Sequence, residues 1–179
     1  ISNEEIAEGI YKTVFISPNI SSSSMPGQFV NILPSLNWDN VMRRPMSIAG
    51  QGNDEISIIY KAVGEGTLIM ANWEAKTKVD LIGPLGNVWQ GYNIKHPILI
   101  GGGVGIAPIL NLHDLLQRNQ INHFLIMGAR NNKDHFLDHE IDSKILLSTD
   151  DGSAGIKGNV MDAFKTLDLN YEKIKIFSC

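Results

Sequence analysis

Two hydrophobic rhythms divide the chain. In the first half, apolar residues recur in short runs at Tyr11 to Ile16, Gln28 to Leu33, Met46 to Ala49 and Glu55 to Val63, the last with Ile56, Ile58 and Tyr60 at every second position. A period of two is that of a half-buried strand, because successive side chains leave a strand on opposite faces. Lys78 to Ile82 is a further run, whereas Thr67 to Trp73 breaks the rhythm and reads as one short helix. Gly, Pro, Asn and Ser fill the gaps. Many short strands at close spacing predict a small antiparallel β-barrel, with Ser21 to Ser24 as a solvated hairpin tip.

The second half changes period. A strand at Ile98 to Ile100 leads to a helix over Ala107 to Arg118, whose Ile109, Leu112, Leu115 and Leu116 share one face. A strand at His123 to Met127, a helix near Asp134 to Ile141, a strand at Lys144 to Ser148, a helix at Val160 to Leu167 and a strand at Lys173 to Phe177 complete the pattern. Alternating strands and helices predict βαβ units around a parallel sheet, with a ligand at the carboxyl ends of its strands. The boundary falls near Gly91 to His96, giving domains over residues 1–92 and 93–179.

Between the first strand and first helix of that second half stand Gly101, Gly102, Gly103 and Gly105, followed by Pro108. Such a turn is a seat for phosphate, since glycine lets backbone N–H groups face a ligand and the helix behind adds partial positive charge. Three earlier segments are compatible with the same chemistry: Arg43-Arg44-Pro45-Met46-Ser47, Gly64-Glu65-Gly66-Thr67 and Gly83-Pro84-Leu85-Gly86-Asn87. Each has a plainer explanation. The arginines can be a solvated pair at a strand start, Thr67 an N-cap after a tight turn, Gly83 to Asn87 a turn alone, and Lys61 a surface lysine rather than an anion's counter-charge. Their coincidence within about 45 residues favours a ligand site.

Charge and cysteine content narrow the classes. A net charge of −4 without clustered Lys and Arg argues against a nucleic-acid surface. No run approaches the roughly 18 to 20 apolar residues of a membrane span and no signal pattern opens the chain, so a cytoplasmic protein is expected. The single cysteine, Cys179, excludes an internal disulfide and cannot alone hold zinc or an iron–sulfur cluster. Ile1 at the start and a strand-like run up to Cys179 predict a natural chain that extends at both ends. Asp150 and Asp151 either contact a ribose or form an Asp-Asp-Gly turn, and Arg130 either meets an adenine ribose or is exposed. His135 and His139 read as a surface pair rather than a metal site, and Trp38, Trp73 and Trp89 as barrel packing.

The order Arg-Pro-Met-Ser, Tyr60-Lys61 with Gly-Glu-Gly-Thr, Gly-Pro-Leu-Gly-Asn, then Gly-Gly-Gly-Val-Gly-Ile-Ala-Pro resembles the ferredoxin reductase-like flavoproteins. Within them it looks most like the electron-transfer subunits of NAD-linked bacterial dihydroorotate dehydrogenases, the Thr149-Asp150-Asp151-Gly152-Ser153 segment included. The resemblance spans essentially the whole chain. It implies an N-terminal β-barrel FAD domain followed by a Rossmann-like NAD domain. Arg44, Pro45, Met46 and Ser47 would line the FAD, Ile59, Tyr60 and Lys61 would touch its ring and ribityl side, and Gly66 and Thr67 would hold its pyrophosphate. Gly101, Gly102, Gly103 and Gly105, with Asp151, would meet the NAD(H), and Cys179, matching the start of the family's Cys-Gly-Pro segment, would lie near the nicotinamide. Met46 stands where the wider family often has an aromatic, so stacking there is lost.

By the same resemblance hydride passes from NADH to FAD, and electrons then leave singly through a [2Fe–2S] cluster to a catalytic subunit that oxidises dihydroorotate in pyrimidine biosynthesis, in a heterotetramer. The cluster's cysteines follow the Cys179 position in that group and are expected only if the natural chain continues. Two rivals remain: a free-standing NAD(P)H-dependent flavin or ferredoxin reductase, and a nucleotide-sensing module without turnover.

Overall fold

A computed structural model describes residues 2–37, 42–169 and 171–179, with the backbone alone at Tyr171. Trp38 therefore lies outside the described residues. The chain divides into two compact units, Ile1–Val88 and Trp89–Cys179.

The first unit holds six strands, β1 (Ser2–Ala7), β2 (Ile10–Ile16), β3 (Phe29–Leu33), β4 (Arg44–Gly52), β5 (Glu55–Lys61) and β6 (Asp80–Leu85), with short helices α1 (Pro18–Ser23) and α2 (Glu65–Ala71). They form one antiparallel sheet in the order β1-β2-β5-β4-β3-β6. The two-residue alternation has the expected result: Ile56, Ile58 and Tyr60 turn into a core with Phe15, Val30, Ile32, Ile48 and Met70. Asn53 and Asp54 join β4 to β5 with φ of 53° and 64°, the doubly left-handed geometry of a tight hairpin. Asn3 Nδ2 donates to the Met70 and Ala71 carbonyls at 3.1 and 3.0 Å, tying β1 to the last turn of α2, where helix carbonyls lack internal donors.

Two elements differ from expectation. β1 was invisible because Ser-Asn-Glu-Glu carries no apolar alternation; an edge strand takes its stability from the neighbour it pairs with. Ser21 to Ser24 is not a solvated tip. Pro18 opens α1, Ile20 and Ser21 are buried, and Ser24 Oγ donates to Gln51 Oε1 at 2.8 Å. Serine's weak helix propensity hid a turn that Ile20 anchors in the core.

The second unit is a parallel sheet of β7 (His96–Gly102), β8 (Phe124–Ala129), β9 (Ile145–Thr149), β10 (Ile156–Lys157) and β11 (Ile174–Ser178), in the order β10-β9-β8-β7-β11. Helix α3 (Ile106–Arg118) covers one face, where Ile109, Leu112 and Leu116 meet Leu99, Leu125, Met127 and Phe177. Helix α4 (Val160–Lys165) covers the other with Ala163 and Phe164 against Ile98, Ile100 and Ile126. The division falls ahead of Gly91 to His96 because Trp89 and Tyr92 pack on the α3-side core, Trp89 edge-on to Phe177 at 5.6 Å. Trp89 thus does not pack in the barrel; Trp73 does.

The helix expected near Asp134 to Ile141 is absent. One 3-10 turn at Asn132–Asp134 stands there, and the chain then runs beside β9: His135 Nε2 lies 3.0 Å from the Ser148 carbonyl, and Leu147 N donates to His139 Nδ1 at 2.9 Å. Both imidazoles serve the β9 backbone. They share no helical face.

An unanticipated pair is His113 on α3 and His123 before β8, with Nδ1 and Nε2 2.7 Å apart and His123 Nδ1 2.7 Å from the Ile121 carbonyl. Burial, then the neighbouring His123, pushes His113 down to about 4; burial and Lys144 also lower His123, against the Ile121 hydrogen bond. A histidine ordinarily near 6.5 takes its proton first in the unfolded chain, so stability is full above that value and falls as pH drops toward 4. Between pH 7 and 5 the loss should be roughly 1 to 2 kcal/mol. Urea unfolding across that range measures it, and His113→Gln should flatten the dependence.

Candidate functional site

In the second unit the chain proceeds outward from β7 through β8 and β9 to β10, then returns to β11 on the far side of β7. That reversal is a topological switch point, the place where open parallel sheets bind ligands beyond their carboxyl ends. Gly101 and Gly102 end β7, Gly103–Gly105 form a 3-10 turn, and the 13-residue α3 starts directly behind. Cys179 closes the other side: its N–H donates to the Ile100 carbonyl at 3.1 Å and its carbonyl accepts from Gly102 N at 3.2 Å. The structure therefore brings the four glycines and Cys179 together, with Cys179 exposed.

These glycines are glycines for different reasons. A Cβ on Gly101 would lie 2.6 Å from Ile106 Cα, and one on Gly105 2.8 Å from the Cys179 carbonyl oxygen. Gly103 has φ +53°. Gly102 has an ordinary φ of −110° and a Cβ there would meet open space. The fold does not require glycine at 102, but a ligand approaching the strand end would.

Asp151 lies along the same carboxyl edge. Its Oδ1 accepts from Ser153 N at 2.9 Å and from Ser153 Oγ at 2.6 Å, and Ser153 Oγ accepts from Asn132 N at 2.8 Å. These bonds hold its carboxyl below the usual range. The Asp-Asp-Gly segment is thus an Asx-type turn that latches the loops after β8 and β9. Arg130 faces Asp134, Nε to Oδ2 at 3.4 Å, with its side chain largely exposed.

In the first unit Arg44 opens β4 and its guanidinium lies over Gly66 at the start of α2: a Cβ on Gly66 would fall 2.8 Å from Arg44 Nε and 3.1 Å from Cζ. Arg44 Nη1 also donates to the Met42 carbonyl at 2.7 Å. Two segments that are 22 positions apart in sequence thus meet, with Gly66 buried beneath the Arg44 guanidinium. Thr67 plays a different part from the one expected of its hydroxyl. That oxygen accepts from Val63 N and Gly64 N at 3.0 Å and donates to the Gly64 carbonyl at 2.9 Å, which exhausts a hydroxyl's capacity. Only its backbone remains for a ligand.

Strand alternation separates Ile59, Tyr60 and Lys61. Tyr60 is buried in the core, stacked on Tyr11 at 5.9 Å with its hydroxyl on Asn3, while Ile59 and Lys61 point to the opposite face. Met46 packs against the same core; Pro45 is exposed and Ser47 half-buried. Residue spacing carries no sign of what Arg43 does: Nη2 pairs with Asp80 Oδ2 at 2.9 Å, and Nη1 donates to the Asn31 and Asp80 carbonyls at 3.3 Å. No local spacing links a residue ahead of β4 to β3 and β6.

Comparison with known proteins places this geometry. Residues 99–164 match the family described as Oxidoreductase NAD-binding domain. The chain is 35% identical to the dihydroorotate dehydrogenase B (NAD(+)) electron transfer subunit of Bacillus velezensis, over 96% of this chain and 70% of that protein. The subunit of the same name from Fusobacterium nucleatum is 34% identical over 99% of this chain and 72% of that one. Among solved structures, an NADH-dependent reduced ferredoxin-NADP oxidoreductase is 32% identical with a TM-score of 0.80, over 93% of this chain and 61% of that one. This chain therefore spans about 70% of its curated relatives and less than two thirds of that structure.

An antiparallel-sheet unit followed in sequence by a parallel-sheet unit is the fold of ferredoxin reductase-like FAD/NAD oxidoreductases. Within that class the chain belongs to the family of dihydroorotate dehydrogenase B (NAD(+)) electron transfer subunits.

Proposed function

We propose that this chain oxidises NADH through a bound FAD and passes the electrons to a dihydroorotate dehydrogenase catalytic subunit, in a cytoplasmic heterotetramer serving pyrimidine synthesis. The observation that carries the reading is Gly102: a glycine the fold does not need, at the switch point where a dinucleotide would lie. Gly101 to Gly105 give NADH close access to the strand end, and the amino end of α3 favours its pyrophosphate. Cys179 borders that edge, and the Asp151 latch keeps the neighbouring loop in place.

The first unit suits a flavin dinucleotide. Arg44, seated on Gly66 where any Cβ would collide with its guanidinium, offers that guanidinium to a pyrophosphate. Pro45, Met46 and Ser47 follow along β4, and the backbone of Ile59, Tyr60 and Lys61 supplies polar groups to a flat ring, with Tyr60's side chain held in the core. A flavin, when bound, supplies acceptance of an electron pair and its release one electron at a time. Among the described residues no three His, Cys, Asp or Glu side chains group together. The residues present do not fit a [2Fe–2S] cluster. Among the described residues no helix is long and apolar enough to cross a membrane.

Reconstituting the purified protein with FAD tests the reading. It should turn yellow, and NADH should bleach the flavin band; a preparation that takes up no FAD would overturn it. Bleaching by NADH followed by steady turnover with ferredoxin alone would favour a free-standing reductase. The protein should copurify with a dihydroorotate dehydrogenase catalytic subunit.

A further inference from the structure

We infer that Arg43 is a positioning residue, which sets the direction of Arg44 by clamping the weak first residues of β4 to β3 and β6; the inference rests on the flavin reading above. The start of β4 is poorly held by its own ladder. Arg44 is the strand's first residue and pairs with Ile32, and β4 pairs with β5 only from Ile48 onward, so its first four residues are held on one side alone. Strand ends with few hydrogen bonds fray.

Arg43 compensates from one position earlier. Its guanidinium spans two strands at once, donating to the Asn31 carbonyl of β3 and to the carbonyl and carboxylate of Asp80 on β6. Asn31 lies between its two neighbours, paired with Pro45 on one side and Ile82 on the other. The clamp therefore sits beside the start of β4 that only β3 holds. Consecutive residues on extended backbone point to opposite sides. With Arg43 turned to β3 and β6, Arg44 is directed at Gly66, where its guanidinium stands within van der Waals reach of the glycine's bare face. A guanidinium suits this task and an ammonium does so less well, because three acceptors must be met from one planar fork.

The placement separates two roles that adjacent arginines would otherwise share. Arg44 contacts the dinucleotide, and Arg43 acts only through Arg44. Their effects on FAD affinity must then be coupled, whereas a residue that merely stabilises the sheet would act independently of Arg44.

A double-mutant cycle on the whole chain reads this out, with FAD dissociation constants from flavin fluorescence and melting of the FAD-free protein measured separately. Arg43→Ala should weaken FAD binding by about fivefold or more in the parent and by less than about twofold in an Arg44→Ala background. Arg43→Lys, which keeps the charge opposite Asp80, should recover part of the lost affinity, and kcat at saturating FAD should stay close to the parent's. Should Arg43→Ala fail to fold, Asp80→Asn runs the same cycle with the two carbonyl contacts retained. Equal losses in both backgrounds, or a lower melting temperature with unchanged FAD affinity, would overturn the inference and leave the flavin reading intact. If the parent binds no FAD, both fall.

Discussion

Arg44→Ala is expected to raise the FAD dissociation constant roughly 10- to 150-fold, the equivalent of 1.5 to 3 kcal/mol for a charge-assisted hydrogen bond that the variant cannot make. The guanidinium lies over Gly66 and is braced by the Met42 carbonyl, so the free side chain already adopts a fixed orientation. A pre-oriented donor loses little rotamer freedom when a pyrophosphate arrives, which places the effect toward the upper part of that range. The companion change is Gly66→Ala. Its methyl would stand 2.8 Å from Arg44 Nε, and a flexible arginine tip can yield by a few tenths of an ångström. A smaller loss is expected, about 3- to 10-fold, with the melting temperature of the FAD-free protein nearly unchanged. Equilibrium dialysis against FAD measures both. Unchanged affinity in Arg44→Ala removes that residue from the site.

The parts of the fold that could be read from the residues are those in which local pattern and burial agree. Ile56, Ile58 and Tyr60 alternate because one face of β5 is core, and Ile109, Leu112 and Leu116 recur at helical spacing because one stripe of α3 is core. β1 and the segment after Asp134 escaped because their stability lies elsewhere: β1 borrows a ladder from β2, and His135 and His139 bond to the β9 backbone. A helical reading of Asp134 to Ile141 had only propensity behind it, and two side-chain contacts to a strand outweighed it. The candidate site was legible as segments and illegible as contacts. Arg44 and Gly66 each stood out, yet their meeting, the exhausted hydroxyl of Thr67 and the clamp of Arg43 on Asp80 all depend on chain reversals that sequence spacing does not encode.

The glycine turn of the second unit offers the sharpest separation of folding from binding, since neighbouring glycines at the end of one strand should respond in opposite ways. Gly101→Ala puts a methyl 2.6 Å from the Ile106 Cα, a backbone atom that cannot move without shifting α3. Overpacking of that kind costs about 1 to 3 kcal/mol, and this contact is with backbone, so the upper end is expected together with a fall of several degrees in melting temperature. Gly102→Val places its side chain in open space at φ −110°, a conformation that valine adopts readily in a strand. Stability should change by no more than about 0.5 kcal/mol, the usual range for a surface substitution. NADH should nevertheless bind at least about tenfold more weakly, a loss of 1.4 kcal/mol, because the branched side chain occupies the approach to the strand end. Thermal melts and NADH titrations of the two variants give four numbers. A Gly102→Val protein that melts like the parent and also binds NADH like the parent would mean that no dinucleotide lies over this strand end.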